Sequence, residues 1–452
     1  MYNLRHWPTR KVGDLFHVNG RIGWRGLKRR DFCSDGPYLI TGMHIDDNGS
    51  VDWRSCFHIP LRKYEESPEI KVAPRDLVIT KDGTIGKVAY IDYLPGPTSL
   101  NSHLFLVRIK DDIDICPRFA FHIFRSQIFQ EFIEQQKSGS TLSGLGEMKF
   151  IKFQFPLPQK SEQNTFVRLL DTLDTTIRQT EAIIAKLQQV KQGLLHDLLT
   201  RGIDANGQLR PPVEQAPHLY KESPLGWIPM EWEVGPLSYC VASLDAGVSV
   251  NAEDRPHGSS EIGVLKTSAI SNGVFYPEQN KAVVAREIRL VREPVQADSI
   301  LVSRMNTPLL VGESCYVDVD SPNLFLPDRI WQLKIRESSI VQTKWLSYIF
   351  RTSHYRAYVE IHATGTSGSM KNLPKSRLLD MPVAFPKFRE QVQTSNRMTV
   401  IDQRINAERA NLRKLINEKS ALMDDLLTGR MRVTALLSGE TRASTEPERK
   451  SA

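Results

Sequence analysis

A chain of 452 residues is too long for one ordinary hydrophobic core and calls for two or more domains. With 40% hydrophobic and 25% charged residues it has the composition of a folded protein; no apolar run nears the roughly 20 residues that span a bilayer, and the opening MYNLRHWPTRK lacks the apolar centre of a secretion signal, which points to the cytoplasm. The formal net charge of +7 favours a polyanionic partner, and five scattered cysteines without a CxxC pair argue against a zinc site or a disulfide framework.

Residues 1–158 carry short β-rich runs, DLVIT, KVAYI and LFLVRI, each bounded by turn residues, and then the helical pattern RFAFHIFRSQIFQEFIEQQ. Basic and aromatic residues interleave in GRIGWRGLKRRDF on a glycine-containing loop; taken alone such a run is more often a solvated face, and the other reading makes Arg21, Trp24, Arg25, Lys28, Arg29 and Arg30 candidate contacts to phosphate or guanine. DGTIGKV resembles a phosphate loop only superficially, because Val88 stands where a hydroxyl is required, so a tight turn is expected there. Lys81, which opens that turn, joins the candidates. Before the last strand, SGSTLSGLGEMKF offers Ser140, Thr141 and Lys149 as phosphate-backbone partners or, equally, as an ordinary turn and helix cap.

From 159 to 200 the apolar positions Leu170, Ile177, Ile184, Leu187, Leu194 and Leu198 recur at steps of three, four or seven, the pattern of one long amphipathic helix. At ~1.5 Å per residue its 42 residues reach on the order of 63 Å, too long to bury its stripe unaided. Residues 201–225 have turn and linker chemistry throughout, rich in Gly and Pro. A second α+β segment follows at 226–386, with SILVS, SCYVDV, WQLKI and the helical KWLSYIFRTSHYRAYVEIH. Its candidate cations are Arg286, Arg289, Arg292 and Arg304, together with Lys371 of TGTSGSMKNLPKS. A second long helix is expected at 387–430, with Ile405, Leu412, Leu415, Leu422 and Leu426 on its stripe, and 431–452 reads as a disordered tail.

The two long helices are copies. Asp174 aligns with Asp402, 228 residues on, and the same shift brings Lys191 onto Lys419, Glu162-Gln163 onto Glu390-Gln391, Pro158 onto Pro386 and Leu145 onto Leu373. The heads match more loosely; Asp76 of DLVITKDG aligns with Asp298 of DSILVSRM at a shift of 222. A constant frame with two divergent heads suits one scaffold presenting two recognition surfaces, its rods paired as an antiparallel coiled coil; the alternative packs each rod on its own head. Enzyme signatures are missing: there is no HExxH, no GxSxG between strand and helix, no GxGxxG after a strand, no (N/D)PP(Y/F) tetrapeptide, and no metal-ligand spacing among the eleven histidines.

Variable head, constant rod, linker, second head and second rod together resemble the specificity subunits of type I restriction-modification systems. GRIGWRGL, DLVITKDGTIGKVAYI, SPLGWIPMEW, the G-S/T turn before PLPQKSEQ, and the LLT helix ends carry the likeness. The resemblance implies two target recognition domains held apart by the paired helices with pseudo-twofold symmetry, each reading half of a split sequence on double-stranded DNA. It also implies no cofactor on this chain; S-adenosylmethionine, ATP and Mg would sit on two modification subunits and on restriction subunits. The competing reading is a coiled-coil scaffold whose heads bind protein or carbohydrate, and a stand-alone enzyme is the third.

Overall fold

The computed structural model describes residues 7–21, 27, 31–137, 144–336, 340–365 and 370–427. Two compact units divide the chain, Met1–Ile183 with Glu408–Ala452 and Ile184–Ala407. These units do not follow the segments read from sequence, because each takes half of both long helices, Lys160–Thr200 and Phe388–Leu427.

In the first unit an antiparallel sheet runs in the order Phe16–Gly20, Leu104–Ile109, Leu77–Thr80, Val88–Tyr90. Its central strands are apolar at Leu77–Ile79 and Leu104–Val107 because both faces are covered there. Leu77, Ile79, Phe105 and Val107 point into a phenylalanine-rich core with Phe119, Phe124, Phe129 and Phe150, while Val78, Leu104 and Leu106 enter a second core beneath Ile40 and Leu100. That second core is roofed by a three-stranded sheet in which Cys33–Ile40 runs parallel to Thr98–Leu100. The helical pattern after the sheet forms two helices, Pro117–Ile123 and Gln127–Lys137.

The second unit repeats this plan. Its four-stranded antiparallel sheet runs Val241–Ala246, Ile330–Ile335, Ser299–Ser303, Ser314–Val317, and Gly263–Leu265 runs parallel to Ser321–Phe325 in a five-stranded companion. Ile300 and Val302 face one core and Leu301 the other.

Within each unit the long helices meet in opposed chain order. Leu170 shares a core with Met423, Leu426 and Leu427 in the first, and Leu198 shares one with Met398 in the second. Of the predicted seam, Leu170, Ile177, Ile184, Leu198, Ile405 and Leu426 are buried, whereas Leu187, Leu194, Leu412, Leu415 and Leu422 are half-buried. Asp174 accepts from Lys419 at 2.5 Å in one unit, and Asp402 accepts from Lys191 in the other. The four residues that align in sequence therefore pair crosswise, the same contact recurring once in each unit.

The frame is duplicated in finer detail. Trp7 Nε1 donates to Glu162 at 3.1 Å and Trp232 Nε1 to Glu390 at 3.2 Å. The Gln163 amide donates to Pro158 O at 2.9 Å and that of Gln391 to Pro386 O at 2.8 Å. The segment expected to be a simple connector is packed: Ile203, Ala216 and Tyr220 are buried, and Arg210 forms a buried ion pair with Glu390 at 2.6 Å. Turn-forming composition fixed its backbone type, but the anchoring comes from one arginine and a few apolar residues among the glycines and prolines. Residues 428–452, including the expected tail, lie outside the described residues.

One joint differs between the units. His122 Nε2 lies 2.8 Å from Asp171 Oδ1, and Arg118 donates to the same carboxylate at 2.7 Å; at the corresponding place in the second unit Tyr348 and Thr399 stand in for His122 and Asp171. Burial pushes the His122 pKa down, against the pull of Asp171. Burial alone would raise Asp171, but hydrogen bonds from His122 and Arg118 outweigh it and hold the carboxyl at about 2. Nε2 of His122 and the carboxylates of Asp171 and Asp174 lie within 4.8 Å of one another, although Arg118 and Lys419 already neutralise those acids.

Because the unfolded chain protonates His122 before the folded one does, stability falls as pH drops below about 6.5. His44, also lowered by burial, adds to the same slope. His122→Gln keeps a donor for Asp171 without the titration, so its melting temperature should fall less steeply between pH 6.5 and 5 than that of the parent. Parallel slopes would contradict the assignment.

Candidate nucleic-acid interface

Each head places a cation at the exit of its central strand. Lys81 follows Leu77–Thr80; its N–H donates to His103 O at 2.9 Å, its carbonyl accepts from Leu145 N at 2.7 Å, and its ammonium stands 4.9 Å from the Phe105 ring centroid. Arg304 follows Ser299–Ser303; its N–H donates to Arg329 O at 3.0 Å, its carbonyl accepts from Leu373 N at 2.8 Å, and its guanidinium carbon stands 5.2 Å from the Trp331 centroid. Phe105 and Trp331 are buried, so each half-buried cation lies on the rim of a core, fixed by ring and backbone. Sequence reading selected both cations without their aromatic supports, whose signal is one ring at the second residue of the strands Leu104–Ile109 and Ile330–Ile335.

This equivalence corrects the register read from sequence. The left-handed residues that open the two central strands are Arg75, at φ 74°, and Asp298, at φ 50°; they donate to Ile91 O at 2.7 Å and Val317 O at 2.9 Å. Asp76 therefore corresponds to Ser299, and the shift here is one residue more than matching the aspartates suggests. Ladder bonds and the positive φ set the register, and a shared acidic letter does not.

Beside Lys81, an open cleft of about 530 Å³ is lined by Asp82, Gly83, Phe105, Gly144, Leu145 and Glu147. As expected, DGTIGKV is a turn between adjacent strands; Gly83 and Gly86 adopt φ of 71° and 88°, which a side chain would strain. Asp82 is 3.2 Å from His103 Nδ1. Lys149 is exposed on the next helical turn. In the second head Lys371 pairs with Asn306 in a short ladder and its ammonium donates to Gly365 O at 3.0 Å.

Arg21 departs from expectation. It is 3% exposed, donating to Leu100 O, Ser67 Oγ and Ser99 Oγ at 2.9, 3.2 and 2.9 Å, so it ties the two sheets together and is not available to a phosphate. Burial lowers its pKa, with Glu69 and Glu66 opposing. Arg286 and Arg289 are exposed on the turn Ala285–Leu290, as is Arg292 beyond it. Their counterpart in the first head is the short helix Leu61–Glu65, whose exposed Arg62 was missed because Arg62 and Lys63 are followed at once by the acidic pair Glu65-Glu66. Trp24, Arg25, Lys28, Arg29, Arg30, Ser140 and Thr141 lie outside the described residues. All five cysteines are free, and burial pushes the thiols of Cys56, Cys240 and Cys315 up to about 12, which is unsuited to a nucleophile.

Comparison with known proteins agrees with this geometry. Residues 5–189 match the type I restriction modification DNA specificity domain. The chain is 22% identical over 332 residues to the type I restriction enzyme MjaVIII specificity subunit of Methanocaldococcus jannaschii, covering 73% of this chain and 72% of that one. It is 23% identical over 446 residues to the putative MjaX specificity subunit of the same organism, 94% of each. The fold is similar to the crystal structure of a type I restriction-modification S subunit from M. genitalium, with a TM-score of 0.55 and 14% identity over 93% of this chain and 96% of the other. Residues 5–189 thus match the specificity domain of this family, and over nearly its whole length the chain is similar to a putative type I restriction enzyme specificity subunit. Among the described residues no helix is long and apolar enough to cross a membrane.

Proposed function

We propose that the two heads recognise the two halves of a split target on double-stranded DNA, and that the chain directs partner subunits to it. The observation that carries this reading is the pair of equivalent cations, Lys81 on Phe105 and Arg304 on Trp331, set at the same strand exit in both heads and followed by tips of different sequence. Equivalent cations suit the phosphate backbone, which is alike at every site, whereas differing tips suit base edges, which are not. The chain itself is non-catalytic. Two modification subunits would bring S-adenosylmethionine and methylate adenine at N6, and restriction subunits would bring ATP and Mg. The crosswise-paired helices give two identical partners equivalent docking ends. Cytoplasmic residence follows from this role.

Titrating salt tests the phosphate assignment. Lys81→Ala and Arg304→Ala should each weaken DNA binding on all sequences and lower the slope of log affinity against log salt by about 0.9. An unchanged slope in both variants would remove these residues from the interface. Arg21→Lys should lower stability and leave the slope alone.

A further inference from the structure

The tip that follows Arg304 differs from its counterpart in kind. The first head has Asp82-Gly83-Thr84-Ile85-Gly86, led by a carboxylate facing His103; the second has Met305-Asn306-Thr307-Pro308-Leu309, with Leu310 after it. Leu309 is 83% exposed, more than any other large apolar residue described, and Leu310 is 45% exposed. This exposure is not slackness of the loop. Arg356 donates to the carbonyls of Pro308, Val311 and Leu309 at 3.0, 2.8 and 3.4 Å, and Tyr355 Oη donates to Gly312 O at 2.8 Å. Leu310 N and Val311 N both donate to Thr307 O, at 3.0 and 2.9 Å. Gly312, at φ 82°, turns the chain back into the sheet.

A fold that holds a leucine outward on so tightly braced a turn gains nothing from it internally. The bracing also turns three carbonyls inward onto Arg356, which removes acceptors that would repel a polyanion. Arg304 precedes the tip, and Lys371 and the exposed Arg329 adjoin it through backbone bonds. Cations at the base of an apolar point match a duplex, with phosphates at its edge and stacked bases within.

Resting on the reading of the heads as DNA-binding, we propose that Leu309 is a wedge that enters the base stack of the half-site read by the second head and opens one step. A rigid tip suits this use, since the side chain must not fold away when it meets the stack. The first head, with Asp82 and glycines at the same place, reads its half-site without a wedge.

The test uses the full chain in complex with its modification subunit. The probes are duplexes carrying the methylation-mapped target, with 2-aminopurine placed in turn at each position of both half-sites except the methylated adenine. Fluorescence should rise at one step in the second half-site and nowhere in the first. Leu309→Ala should abolish the rise and weaken binding roughly tenfold without changing the salt slope, while Leu309→Met retains both. A tenfold loss with no fluorescence rise in the parent would make Leu309 a surface contact to a base edge and overturn the wedge. Normal DNA binding by Leu309→Ala with loss of the modification subunit would make the tip a protein-docking point. If the parent complex does not bind the duplex at all, the DNA-recognition reading fails and this inference falls with it; binding by the parent with an inert Leu309→Ala overturns the wedge alone.

Discussion

Replacing Arg210 with methionine is expected to destabilise the second unit by about 3–5 kcal/mol, the cost of leaving one partner of a buried ion pair charged and alone. Both side chains of the pair are 8% exposed. Glu390 also accepts from Ile203 N at 2.6 Å and Trp232 Nε1 at 3.2 Å, so a single carboxylate holds the segment after the first long helix, the entry to the second head and the start of the second long helix. Gly202, at φ 64°, passes so close that a Cβ there would lie 2.1 Å from a Glu390 oxygen. Urea unfolding, with hydrogen exchange read on peptides from 201–232, checks this. Arg210→Met combined with Glu390→Gln should cost less than the sum of the single changes, because the orphaned charge is gone. A loss below about 1 kcal/mol for Arg210→Met would mean that the ion pair does not anchor this segment.

Charge exchange across the long helices should show which residues answer to which. Lys419→Asp places an acid against Asp174 where both side chains are largely buried, 14% and 17% exposed. The expected loss is on the order of 2–3 kcal/mol. Adding Asp174→Lys should recover most of it, with a coupling of about 1–3 kcal/mol, whereas adding Asp402→Lys should recover nothing. The mirror experiment at Lys191 and Asp402 should behave alike but more weakly, since that pair is more exposed, at 21% and 33%. Rescue by the wrong aspartate would contradict the crosswise pairing.

How far the sequence carries depends on whether a feature repeats at a helical or strand period. Both long helices were legible to within one residue at their N-terminal ends, because their stripe holds over many turns and proline marks the entry. The conserved polar breaks were legible as correspondences, Asp174 with Asp402 and Lys191 with Lys419, but their pairing was not, since periodicity says which residues share a face and not which face meets which. The heads were harder. Apolar central strands announce themselves, yet the one-residue offset between Asp76 and Asp298 is invisible without the ladder. Arg21 shows the opposite failure, for a basic run gives no sign of which member turns inward to satisfy Leu100, Ser67 and Ser99. Leu309 drew no notice because an exposed leucine looks like any other in a list of letters; its meaning comes from Arg356, distant in sequence, holding the loop from behind.

The most direct test of the central claim is to co-express the chain with its modification subunit in a host free of adenine methylation and to map N6-methyladenine by long-read sequencing. The account predicts a split motif, two short defined halves separated by unspecified bases, absent when the modification subunit is expressed alone. With a soluble complex and an active partner confirmed, a genome without new methylation, or one with a single undivided motif, would contradict it.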